Sequence, residues 1–100
     1  HAAQICADRD ALIASLAAMP GVTSYPSDAN FVLANFSGVN PRPGSAARIY
    51  DDLKARGILV RNVGPMHPLL AECLRISIGT PDDNAALLAA LNDILPTIRN

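Results

Sequence analysis

Apolar positions recur along this chain with two periods, and the switches between them divide it into elements. Over residues 2–18, Ile5, Leu12, Leu16 and Met19 fall at helical intervals with Ile13 beside them, and Pro20-Gly21 interrupts the pattern. An amphipathic helix is predicted there, with a short strand possible near Val22–Ser24. From Asn30 to Phe36 the run N-F-V-L-A-N-F suits a pleated strand, bounded by Pro26-Ser27-Asp28 and by Ser37-Gly38. Pro41 and Pro43 exclude helix between them. From Ser45 onward, Ala46, Ile49, Tyr50 and Leu53 form one helical face, and Gly57 stands where a helix stop is needed.

Ile58–Arg61 is short, β-branched and directly after that stop, so it reads as a strand. Residues 62–72 form a connection longer than the roughly 2–5 residues of a hairpin loop, and excess of this kind often marks function. Cys73–Ile78 resumes a strand. Thr80 can cap the amides of a following helix, Pro81 suits its first position, and Asp82 and Asp83 favour its positive end. Leu87, Leu88, Leu91, Ile94 and Leu95 make the buried stripe of this helix. Pro96 is expected to end or kink it, because proline lacks the amide proton and clashes one turn back. The resulting fold class is α+β: a small three- to four-stranded, mainly antiparallel sheet with helices packed on one face.

Composition narrows this picture. A chain of 100 residues has material for one core, so the expectation is a single domain spanning residues 1–100. Half the residues are apolar, but 17 of them are alanine and only 4% of the chain is aromatic, so the core must be built on Leu, Ile and Val. The formal net charge of −1 supplies no field for nucleic acid or for an anionic membrane, and neither partner is expected. No apolar run approaches the ~20 residues of a membrane-spanning helix. Residues 1–13 carry Asp8 and Asp10 without the basic start of a targeting peptide. A soluble, cytoplasmic protein is the expectation. Cys6 and Cys73 match no disulfide or zinc spacing and read as small buried hydrophobes. The chain opens within a helical pattern, which leads us to expect a piece of a longer protein.

The sheet carries the candidate chemistry. In Cys73–Ile78, Leu74, Ile76 and Ile78 share one face while Cys73, Arg75 and Ser77 share the other. The strand Phe31–Phe36 is apolar on both faces, as though something beyond these residues covers the second side. Arg75 on that side is informative, because a desolvated guanidinium is costly without an anion. Arg61 ends the preceding strand. If the two strands pair antiparallel, both guanidiniums converge at one rim, suited to a phosphate or a carboxylate. The alternative is that each pairs with a local Asp or lies in solvent.

Other candidates are weaker. Lys54, the single lysine, sits among Asp51, Asp52 and Arg56 and reads as a solvated surface residue rather than a Schiff-base nucleophile. His67 lies between prolines with no carboxylate or cysteine at a recognisable spacing. Asp51-Asp52 reads as an exposed helix face and Asp82-Asp83 as helix capping, so no metal site is expected. Dinucleotide, P-loop, zinc-protease and nucleophile-elbow motifs are absent.

The run Pro26-Ser27-Asp28-Ala29-Asn30-Phe31, Leu53 with Gly57-Ile58-Leu59-Val60-Arg61, and Cys73-Leu74-Arg75-Ile76-Ser77-Ile78-Gly79-Thr80 followed by Asn84 and Leu91 together resemble a known pattern. It is that of the small C-terminal domain in the histidinol-phosphate aminotransferase family, pyridoxal-phosphate enzymes of the aspartate-aminotransferase fold type. The resemblance covers nearly the whole chain. It implies amino transfer between histidinol phosphate and 2-oxoglutarate, with glutamate as the other amino-group carrier, in histidine biosynthesis, by a cytoplasmic homodimer. It implies that Arg75 and Arg61 bind the substrate phosphate and the glutamate carboxylates, with Asn30 in support. It also implies that the pyridoxal 5'-phosphate cofactor, its lysine and all catalytic residues belong to a large domain absent from this chain. Related pyridoxal-phosphate enzymes, an aromatic aminotransferase or a threonine-phosphate decarboxylase, share much of the pattern. An autonomous small-molecule-binding regulatory module is the reading from another class.

Overall fold

The computed structural model describes residues 2–27 and 29–99. His1, Asp28 of the expected turn, and the side chain of Ile5 from the expected helical face lie outside the described residues. Helix α1 spans Ala2–Ala17, strand β1 Thr23–Ser24 and strand β2 Phe31–Asn35. Helix α2 spans Ser45–Ala55, strand β3 Arg61–Asn62, strand β4 Cys73–Ser77 and helix α3 Pro81–Arg99. The four strands form one antiparallel sheet in the order β1-β2-β4-β3.

Local chemistry explains where the elements stop. Gly57 takes a φ of +79°, its amide donates to the Lys54 carbonyl at 3.0 Å, and the Ile58 amide donates to that of Leu53 at 2.9 Å. This doubly bonded stop ends α2. At the start of α3 the Asp83 amide donates to Thr80 Oγ1 at 3.1 Å and the Thr80 amide to Asp83 Oδ2 at 3.2 Å, a reciprocal capping box. Gly79 is needed just before it, because a Cβ there would stand 2.7 Å from the Asp83 Cβ.

Three expectations are corrected. The strand expected over Ile58–Arg61 is confined to Arg61–Asn62, because the Ile58 amide is spent on the end of α2 and the chain joins the sheet only three residues later. Pro96 does not end α3, which runs on to Arg99. Buried Ile98 anchors the last turn, and Asn40 Nδ2 donates to the Ile98 carbonyl at 2.7 Å. Cys6 is exposed, while Cys73 is buried as expected. At 3.6 residues per turn Cys6 lies about 240° around α1 from Leu12, off the buried stripe. The 62–72 connection is ordered by two 3₁₀ turns, Gly64–Met66 and Pro68–Leu70.

One face of the sheet builds the core. Val32 and Ala34 of β2 and Leu74 and Ile76 of β4 pack with Leu12 and Leu16 of α1, Ile49 and Leu53 of α2, and Leu87, Leu91, Ile94 and Leu95 of α3. This aliphatic layer, with Phe36 as its one fully buried aromatic ring, satisfies the compositional expectation. On the other face Phe31, Leu33 and Asn35 of β2 and Arg75 of β4 are only half-buried. The sheet is therefore covered on one side, and the arginine belongs to its open side.

Candidate functional site: an arginine pair on the open face

Register brings the two arginines together. Arg61 of β3 lies directly opposite Arg75 of β4, and Leu33 of β2 lies opposite Arg75 on the other flank. Side chains directly opposite in an antiparallel pair share a face with Cβ atoms about 4.5–5.5 Å apart, a placement that is destabilising for like charges. Among the described residues no carboxylate lies within 4 Å of either guanidinium: the ion pairs are Arg9 with Asp10 at 3.8 Å and Arg56 with Asp93 at 3.2 Å. A shared anion would turn this repulsion into attraction, with planar N–H donors matched to phosphate or carboxylate oxygens.

The surroundings of Arg75 are apolar on its β2 side. Its guanidinium carbon stands 5.1 Å from the centroid of the Phe31 ring. Arg61 is exposed at the sheet edge. Asn30 is brought to the same sheet but not into the arginine pair: it is exposed, immediately precedes β2, and its carbonyl accepts the Ile78 amide at 2.9 Å.

The weaker candidates resolve into structural roles. Lys54 is exposed on α2, Asp51 and Asp52 beside it are exposed, and Asp83 caps α3. His67 Nδ1 accepts the Leu69 amide at 3.0 Å and so closes the second 3₁₀ turn. Burial pushes the Cys73 thiol up from its ordinary range, against a hydrogen bond with Asn35 that lowers it, and the Glu72 charge adds to the rise. A thiol held neutral in this way is a packing group, not a nucleophile. A cleft of about 280 Å³ opens nearby, between residues 57–60 and the start of α3. Two of its polar lining residues are already engaged, since Asn84 Oδ1 accepts the Gly79 amide at 3.0 Å and Asp83 Oδ2 accepts the Thr80 amide at 3.2 Å. Among the described residues no group of three His, Cys, Asp or Glu could hold a metal ion. No described helix is long and apolar enough to cross a membrane.

Two residues matter more than their sequence context indicated. Phe31 read simply as a strand residue. Its position opposite Ser77, two residues along β4 from Arg75, is the signal that the register supplies. Glu72, the chain's only glutamate, has no local sequence mark. Its carboxylate accepts the amides of Gly44 at 2.9 Å and Ala46 at 3.0 Å, capping α2 from 26 and 28 residues away.

A helix-covered open sheet with paired cations on its other face defines a small α+β domain, and the same fold recurs as part of larger solved structures. The fold matches the histidinol-phosphate aminotransferase from Clostridium acetobutylicum with a TM-score of 0.78 at 23% identity, over 93% of this chain and 27% of that one. It matches L-threonine-O-3-phosphate decarboxylase from Porphyromonas gingivalis with a TM-score of 0.79, again at 23% identity, over 93% of this chain and 27% of that one. No family model matches the sequence. Curated relatives do: histidinol-phosphate aminotransferase 2 of Bordetella parapertussis is 56% identical over 95 residues, which is 95% of this chain and 25% of that protein. Histidinol-phosphate aminotransferase 1 of Burkholderia lata is 47% identical over 96 residues, 96% of this chain and 25% of that protein. The chain is thus a homologue of histidinol-phosphate aminotransferases, and it spans about a quarter of the length of the curated relatives it matches.

Proposed function

We propose that this chain is the C-terminal small domain of a histidinol-phosphate aminotransferase and that its open face binds the anionic ends of the substrates. The observation that carries the reading is the direct opposition of Arg61 and Arg75 on the uncovered face of the sheet, in a chain 56% identical to an enzyme of that name. The enzyme exchanges an amino group for a keto oxygen between histidinol phosphate and 2-oxoglutarate, so one site must accept a phosphate dianion and, in the other half-reaction, the carboxylates of glutamate. Paired forked cations serve both. Arg75, central and half-buried, holds the anion common to both half-reactions; Arg61 at the edge adds the second contact that the doubly charged phosphate can use. Asn30 supports the rim.

The residues described here do not fit the cofactor. Lys54, the chain's single lysine, is exposed on α2 beside the exposed Asp51 and Asp52, and the 280 Å³ cleft offers no cation of its own. Pyridoxal 5'-phosphate, which supplies the electron sink for amino transfer, would be bound by a large domain outside this segment. The whole enzyme is proposed to be a cytoplasmic homodimer in histidine biosynthesis.

The test is steady-state kinetics on the full-length enzyme with histidinol phosphate, phenylalanine and threonine phosphate. Arg75→Ala is expected to lower kcat/KM for both histidinol phosphate and 2-oxoglutarate by about 100-fold, in line with the roughly 2–5 kcal/mol lost when one partner of a desolvated charge pair is truncated. Arg61→Ala is expected to weaken the phosphate substrate about 10-fold, more than the keto acid. Unchanged kinetics in Arg75→Ala would overturn the anion site. Absence of amino transfer from histidinol phosphate in the unaltered enzyme, with turnover of threonine phosphate or phenylalanine instead, would reassign the reaction within the same fold.

A further inference from the structure

Arg75 has an unusual set of contacts. Among the described residues it has no carboxylate partner and no side-chain hydrogen bond, and the contact that orients its guanidinium is the Phe31 ring, 5.1 Å from the guanidinium carbon. That distance is within the ~6 Å over which an aromatic face attracts a cation. Phe31 reaches this position because it stands opposite Ser77, diagonal to Arg75, and its strand is pinned there by the Ile78 amide bonding to the Asn30 carbonyl at 2.9 Å. A carboxylate in the same place would also fix the arginine, but it would consume the in-plane N–H donors and cancel the charge an incoming anion must meet. An aromatic ring fixes the plane through its face and leaves the donors at the guanidinium's edge available.

We propose that Phe31 is a positioning residue, holding the Arg75 guanidinium in a fixed plane with its donor edge free, and so sets the affinity of the site for anions in both half-reactions. This inference rests on the anion-binding role of Arg75 proposed above. Phe31 acts through the arginine and makes no chemical step of its own.

The experiment measures inhibition of the full-length holoenzyme by inorganic phosphate, together with KM and kcat, in Phe31→Leu, Phe31→Tyr, Arg75→Ala and the Phe31→Leu/Arg75→Ala double variant. Phe31→Leu is expected to weaken phosphate inhibition and raise KM for both substrates by about 3–10-fold, the range of an exposed to partly desolvated cation–π contact, with a smaller change in kcat. Phe31→Tyr, which keeps the ring face, is expected to stay within about twofold of the unaltered enzyme. With Arg75 already removed, Phe31→Leu is expected to have no further effect, because a residue acting through Arg75 has nothing left to position. Phe31→Met, flexible and still apolar, repeats the measurement should the leucine variant fold poorly. If Arg75→Ala abolishes phosphate inhibition while Phe31→Leu and Phe31→Met leave it intact, the positioning role is overturned and the anion site stands. Losses that add fully in the double variant also overturn it, since they show that Phe31 acts independently of the arginine. If Arg75→Ala leaves phosphate inhibition unchanged, the anion site itself fails and the positioning role goes with it.

Discussion

Glu72 shows how much a single side chain can join. It has a φ of +62°, a left-handed backbone that costs a residue with a Cβ roughly 1–2 kcal/mol. Its carbonyl accepts the Phe36 amide at 2.8 Å, and its carboxylate reaches the amides of Gly44 and Ala46 at the start of α2. The end of β2, the start of β4 and the start of α2 therefore meet on one residue, three positions before Arg75. Hydrogen bonds to a charged group contribute about 1.5–3 kcal/mol. Glu72→Ala is expected to lower unfolding stability by about that amount in urea titrations. Glu72→Gly also loses the carboxylate but relieves the backbone, and is expected to be the less destabilised of the two by about 1 kcal/mol. A glycine variant as unstable as the alanine variant would show that the left-handed backbone stores no strain. Nothing in the sequence around Glu72 announced this role, because α2 carries no local side-chain cap and the residue that supplies one lies far along the chain.

At the scale of elements, the turn after α1 and the turn after β2 cross at two glycines. A Cβ on Gly38 would stand 2.7 Å from the Gly21 carbonyl oxygen, and one on Gly21 would stand 2.5 Å from the Gly38 carbonyl oxygen. These obstacles are backbone, so neither turn can yield by a rotamer change. Gly38→Ala is expected to cost about 1–3 kcal/mol, the range of overpacking, read as a lower urea midpoint. Gly44→Ala, with nothing within 4 Å of its Cβ, is the comparison that isolates backbone preference from collision. The helices were legible from periodicity, since Leu12, Leu16, Ile49, Leu53, Leu87, Leu91, Ile94 and Leu95 are all buried. The ends of elements were less so. Ile58 and Val60 have strand propensity, but the amide of Ile58 bonds backward to α2. Pro96 carries the residue type of a helix breaker, yet the burial of Ile98 beyond it keeps the last turn in place. Tertiary contacts decided both, as they routinely do against local preference.

For the whole molecule, asymmetry is the feature on which the proposed site rests: three helices cover one face of the sheet and leave the arginine pair on the other. Opposed arginines on that face raise the free energy of the unliganded state, so an anion that binds them stabilises the fold by mass action. Inorganic phosphate at ~100 times its dissociation constant is expected to add about 2.7 kcal/mol of stability, seen as a rise in the thermal midpoint of the full-length holoenzyme that falls as sodium chloride is added. An equal rise in Arg75→Ala would place the phosphate elsewhere.

By itself the sequence determined the alternation of helix and strand, the aliphatic core and the placement of Arg75 on the sheet face opposite Leu74 and Ile76, because hydrophobic period and strand alternation are written in local residue types. It also pointed to Arg61 as a partner, conditional on how two strands pair. Only the tertiary structure decided that condition: antiparallel register sets Arg61 opposite Arg75, Leu33 opposite it on the other side, and Phe31 diagonally beneath its guanidinium. Register depends on where each strand enters the sheet, and that is set by contacts such as those of Glu72 and Ile58 with distant backbone, which no local pattern records.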